Sequence, residues 1–156
     1  MKNKNSLLKS FRCAFSGFSG AVKAERNLRI HLTAAAYVLY FSSFYKLSRA
    51  ELAVLLVTIG LVVFSELVNT AVESAVDLAS PDLHPLAKKA KDTAAGAVLV
   101  CAVLAGGVGF VLFWDTERFA YIFRYFTDRL PNALLLLASF CLAWLFIAHK
   151  TSKPNQ

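Results

Sequence analysis

The chain has 156 residues, of which 57% are hydrophobic, with a formal net charge of +7 and a mean hydropathy of +0.54. Soluble domains run at about 45–50% apolar, and here the apolar residues fall in long runs. The composition therefore excludes an ordinary soluble domain and points to a single all-α integral membrane unit. Cys13, Cys101 and Cys141 have neither metal-ligand spacing nor a disulfide framework and read as free thiols.

Residues 1–29 form the first unit. Leu7, Leu8, Phe11, Phe15, Phe18 and Val22 recur at helical spacing, with Lys9, Arg12, Ser16, Ser19 and Arg26 mostly on other faces. That pattern predicts a basic amphipathic helix over 5–29, suited to an anionic membrane surface. The first forty residues lack a short apolar core with a small-residue cleavage site, so no cleaved leader is expected and the retained spans must carry membrane insertion.

Residues 30–114 read as a three-span core. The first span is expected at Ile30–Leu47, followed by a turn around Lys46–Ala50. A second helix over Ala50–Ala79 stops at Ser80-Pro81, because proline cannot continue it. A polar loop SPDLHPLAKKAK leads to a third span over Asp92–Trp114. Small residues there (Ala94, Ala95, Gly96, Ala102, Ala105, Gly106) would let helices approach closely. Residues 115–156 add an interfacial segment and a fourth span, Asn132–Ala148. With the N-terminus cytoplasmic, twelve of the 17 Lys and Arg residues fall inside, which favours an even number of spans and two cytoplasmic termini.

The chemistry begins at SELVNTAVESAVD. At about 100° per residue, Glu66, Asn69, Glu73 and Asp77 fall within an arc of about 80°, forming one polar stripe on the second helix. Leu52–Phe64 before it carries no charge. Glu66 is thus expected just inside the membrane boundary, where a carboxylate needs a partner or a task, since at the bilayer centre it costs about 2.5–3.5 kcal/mol. Three acids on one face repel unless a cation joins them, and acids without His or Cys favour a hard ion such as Mg²⁺.

Lys88, Lys89 and Lys91 supply the opposite charge. Lys91-Asp92 is expected to open the third helix, with Asp92 capping it and holding the ammonium beside an anion-binding helix start. His31, His84 and His149 read as interfacial, with His84 a loop cap or a nucleotide contact. Metal-binding acids, a cationic cradle and a carboxylate at headgroup depth fit one reaction type, phosphoryl transfer to a lipid alcohol. No GxxxxGK[ST] sequence or protein-kinase signature occurs, so the nucleotide site must be built differently.

The residues ELVNTAVESAVD (66–77), HPLAKKAKD (84–92) and ERNLRIH (25–31) closely resemble the prokaryotic diacylglycerol kinase family, which includes undecaprenol kinases; the resemblance covers about residues 5–114. It implies a homotrimer of three-span protomers in the bacterial cytoplasmic membrane, phosphorylating a membrane lipid alcohol with ATP and Mg²⁺ at sites between protomers. By resemblance Glu66 is the general base and touches the lipid. Glu25 and Glu73 hold the metal and, with Asn69, Asp77, Lys91 and Asp92, surround the nucleotide. On its own, Glu25 reads as an exposed partner of Arg29 four residues on. The match weakens over 6–16, where Ala14 stands in place of a serine and Ser16 is the one candidate lipid contact. ERNLRIH and SPDLHPLAKKAKD look like the Gram-positive branch, which favours undecaprenol over diacylglycerol.

Two rivals differ in class. A membrane adaptor would pair its acids with a partner's basic helix and need no ATP. A cation path would need polar residues along Leu52–Phe64, where Thr58 stands alone. The positive charge is explained by topology, so nucleic acid is not an expected partner.

Overall fold

The computed structural model describes residues 4–80 and 84–149. It has six helices, and no strand occurs among the described residues: α1 (Lys4–Ala24), α2 (Arg26–Ser42), α3 (Arg49–Ala79), α4 (Pro85–Phe113), α5 (Thr116–Thr127) and α6 (Leu130–Ala148).

The first helix ends earlier than its periodicity predicts. Glu25 adopts φ −103°, ψ 117°, outside helical space, and divides the expected 5–29 helix into α1 and the start of α2. Arg29 is the reason the break holds. Its Nη1 donates to the carbonyls of Val22 at 3.0 Å and Lys23 at 2.8 Å in the last turn of α1. Its Nη2 donates to the carbonyl of Ile147 near the end of α6 at 3.4 Å. The two Nη groups thus bond three backbone carbonyls while Nε is buried without a partner, and the ion pair with Glu25 expected from spacing does not form. On α1, Leu7, Leu8, Phe11 and Phe15 remain 68–75% exposed, the apolar face a membrane surface would cover.

α3 starts on a capping box, with Ser48 Oγ accepting from the Glu51 amide and the Glu51 carboxylate accepting from the Ser48 amide. α4 packs along α3, α2 lies against both α3 and α6, and α5 rests on α6. The helices thus form a row, α4–α3–α2–α6, instead of a closed bundle. Only Leu28, Leu55 and Val62 are buried apolar residues among those described. The remaining apolar surface faces outward, as it does when lipid or other subunits complete the packing.

Three of these helices, α3, α4 and α6, are long and apolar enough to cross a membrane. Where the sequence predicts a span at Ile30–Leu47, α2 has 17 residues, starting at Arg26 after the Glu25 break and ending at Ser42. At about 26 Å it falls just short of a hydrocarbon core about 30 Å thick. Ala94, Ala102 and Ala105 of α4 are half-buried. A Cβ at Gly96 or Gly106, by contrast, would meet open space, so the close approach expected there is not made within the chain.

Arg29→Lys keeps the charge but loses the forked geometry. With two of three backbone bonds gone, it should lose roughly 2–4 kcal/mol of stability, read as a lowered thermal midpoint in detergent. An unchanged midpoint would rule out Arg29 as the staple between α1, α2 and α6.

Candidate active site

The polar stripe of α3 runs from buried to exposed: Glu66 is 2% exposed, Asn69 and Glu73 are half-buried and Asp77 is open. Helical spacing puts them on one face, and α1 and α2 cover the deeper end of it. Glu66 finds its partner there. His31 Nε2, one turn and a half into α2, lies 3.2 Å from Glu66 Oε1. The Glu66 side chain is 3% exposed and that of His31 23%, so water reaches the imidazole but hardly the carboxylate.

The other acids converge on the same point. Glu25 and Glu73 both lie within electrostatic reach of Glu66, the first because the break between α1 and α2 carries it to α3. Asn69 Nδ2 donates to Glu73 Oε1 at 3.0 Å, fixing the Glu73 carboxylate two turns from Glu66. Asn69 Oδ1 is buried with no hydrogen-bond partner. The carbonyl of Glu66 accepts from Thr70 Oγ1 at 3.0 Å, and Ser65 Oγ, also buried, donates to the Val62 carbonyl at 2.9 Å. These back-bonds satisfy the hydroxyls without drawing on the acids.

Lys91 reaches back across the α3–α4 junction and pairs with Asp77. This corrects one expectation. α4 begins at Pro85, about two turns before Asp92, because His84 takes the N-cap and its Nδ1 accepts from the Leu86 amide at 3.2 Å. Asp92 is therefore inside the helix and caps nothing, and Lys91 is held by Asp77 instead. Asp92 lines a shallow cavity of about 470 Å³ with Pro85, Lys88, Lys89 and Thr93. Ser16 is exposed on α1.

Sequence reasoning passed over two residues of this region, His31 and Arg29. The signal for His31 was the burial argument itself, since an acid at that depth requires a cation or a donor, and ERNLRIH places His31 six residues after Glu25. Among the described residues no group of three or more His, Cys, Asp or Glu side chains forms a metal cage. Magnesium does not require one, being held through one or two carboxylates together with substrate phosphates. Glu25, Glu73 and the unpaired Asn69 Oδ1 offer the hard oxygen donors that fit such an ion.

Residues 12–113 match the model of the family described as prokaryotic diacylglycerol kinase, and the chain belongs to that family of lipid kinases. A diacylglycerol kinase of Synechocystis sp. is 48% identical over 105 residues, which is 67% of this chain and 60% of that protein. An undecaprenol kinase of Bacillus subtilis is 42% identical over 109 residues, 70% of this chain and 89% of its own. A Helicobacter pylori diacylglycerol kinase is 32% identical over 99 residues, 64% of this chain and 77% of that protein. The chain thus spans 60% of the length of the Synechocystis relative. No solved structure matches it. Its spanning helices and bacterial relatives identify a bacterial membrane protein. The family match ends at the last residue of α4, leaving α5 and α6 outside it.

His31→Leu leaves Glu66 buried without its partner, which should cost about 3–5 kcal/mol of stability. In the double variant His31→Leu/Glu66→Leu much of that loss should return. Thermal or denaturant melts of the three variants measure this coupling, and strictly additive losses would show that the pair does not interact.

Proposed function

We propose that the protein transfers the γ-phosphoryl group of ATP to the hydroxyl of a membrane lipid, with undecaprenol the preferred acceptor and diacylglycerol the next. The observation that carries this reading is the buried Glu66, held by His31 at the end of an uncharged span and faced by two further carboxylates. Names of both lipid kinases occur among the relatives, and the match to the undecaprenol kinase takes in 89% of that protein.

In this reading Glu66 accepts the proton of the lipid hydroxyl as its oxygen attacks the γ-phosphorus. The new P–O bond forms as the bond to the ADP oxygen breaks. His31, 3.2 Å from one carboxylate oxygen, holds the carboxylate in place and leaves the other oxygen free for the acceptor. Lys91, drawn toward the stripe by Asp77, can turn to the phosphates, and Asp92 lies two turns along α4 beside Lys88 and Lys89. Glu25 and Glu73, with Asn69, would hold Mg²⁺. When bound, that ion offsets the negative charge of the phosphates during transfer. Ser16 is the weakest of the assigned positions, a lipid contact from α1.

The open row of helices supports assembly. α4 has one packed face, and a homotrimer with sites closed between protomers would cover the rest. Termini on the cytoplasmic side agree with the geometry of Arg29, which meets the ends of α1 and α6 at one membrane face.

The test uses purified protein in nanodiscs with Mg²⁺, γ-labelled ATP and either undecaprenol or diacylglycerol. Wild type should label undecaprenol faster, and Glu66→Gln should lose roughly 10²–10⁴-fold in rate. Glu73→Gln should raise the Mg²⁺ needed for half-maximal rate by at least about tenfold. Faster labelling of diacylglycerol would reverse the substrate order. No labelling of either lipid by assembled protein would return the acids to an adaptor role.

A further inference from the structure

Two cavities lie on the side of α2 away from Glu66, and they meet at Tyr40. The first, about 530 Å³, is a groove between α2 and α6 lined by Leu32, Ala36, Tyr37, Leu136, Ser139 and Phe146 among others. Its inner polar atoms are paired: Thr33 Oγ1 donates to the Arg29 carbonyl at 2.8 Å, Tyr37 Oη to Ser139 Oγ at 3.0 Å, and Ser139 Oγ to the Leu136 carbonyl at 2.7 Å. Tyr40 stands at its end. The second cavity, about 510 Å³, opens beyond Tyr40 at the membrane face opposite the acidic stripe, where α5 meets the α2–α3 turn. Lys46 and Arg118 line it with the tyrosines 45, 121 and 125, and no acid does. Arg118 meets Asp115 only through Nε, at 3.9 Å, and Asp115 Oδ1 is committed to capping α5.

We infer that the two cavities form one site for a glycerophospholipid with an anionic headgroup, its phosphate between Lys46 and Arg118 and one acyl chain in the groove past Tyr40. Cationic pocket and apolar groove follow each other in the order that headgroup and tail require, at the depth where α5 lies along the interface. The aromatic rings around the junction are locked edge to face, Tyr40 on Phe44 at 5.7 Å and Phe44 on Tyr125 at 5.2 Å, which keeps the mouth formed. The site is built half from α2 and half from the segment beyond the family match, and it lies apart from the residues assigned to phosphoryl transfer.

Delipidated protein in detergent would be titrated with phosphatidylglycerol or phosphatidylethanolamine, and bound lipid counted by native mass spectrometry. Wild type should retain phosphatidylglycerol at about tenfold lower concentration than phosphatidylethanolamine. Lys46→Gln/Arg118→Gln should abolish that preference, and Ala36→Phe, which fills the groove, should weaken retention of both lipids. Equal retention of the two lipids by wild type would overturn the inference, and so would a preference that survives the double substitution, which would place the anionic contact on the basic α1. Unchanged retention by Ala36→Phe would remove the acyl chain from the groove. The wild-type comparison and Ala36→Phe decide the matter even where the double variant fails to fold.

Discussion

A buried carboxylate with one donor sets the terms for this protein. Glu66 ends an uncharged stretch of α3, and a lone charge there is too costly to leave unmet. His31 meets it at 3.2 Å, which fixes both the rotation of α2 about its axis and its height against α3. A shift of α2 by one residue would turn the imidazole by about 100° and leave the acid bare. Few apolar residues are buried between the helices, so this polar contact carries a share of the specificity that a large core supplies elsewhere.

The Glu25 break depends on the same registration. If α1 and α2 were one continuous helix, Glu25 would project from a long rod and could not reach α3. Arg29 makes the break tolerable by paying its guanidinium donors into the last carbonyls of α1 and the end of α6. Glu25 then comes, like Glu73, within electrostatic reach of Glu66. Asn69, with one amide hydrogen on Glu73 and its oxygen unpaired, leaves an acceptor on the same stripe; in the proposed reading these oxygens would hold the cation.

Much of this was legible in the chain. Periodicity placed α3 within one residue at its start, and the spacing of Glu66, Asn69, Glu73 and Asp77 gave the stripe that the structure keeps on one face. The break at Glu25 was not legible, because the apolar spacing runs through it and does not show that Arg29 will turn back to the carbonyls of Val22 and Lys23 and across to that of Ile147. The start of α4 was missed for a local reason. Lys91-Asp92 looks like a helix opening, but Pro85 fits the first turn and His84 supplies the cap, so the helix begins two turns sooner. His31 was seen as interfacial because a histidine in an apolar helix gives no sign of what it faces until the neighbouring helix is in place.

α2 therefore works with both of its sides. His31 points to α3, while Leu32, Ala36 and Tyr40 face α6 from the roughly opposite side of the helix, at about 100° per residue. The family match stops where α4 ends, so α5 and α6 are additions placed against the back of the helix that holds the site's donor. Aromatic contacts bind them there, Tyr37 on Phe140 at 5.3 Å and Phe41 on Phe126 at 6.2 Å. The helix that presents His31 to Glu66 is thus also held from behind, by these rings and by the bond from Arg29 to the Ile147 carbonyl.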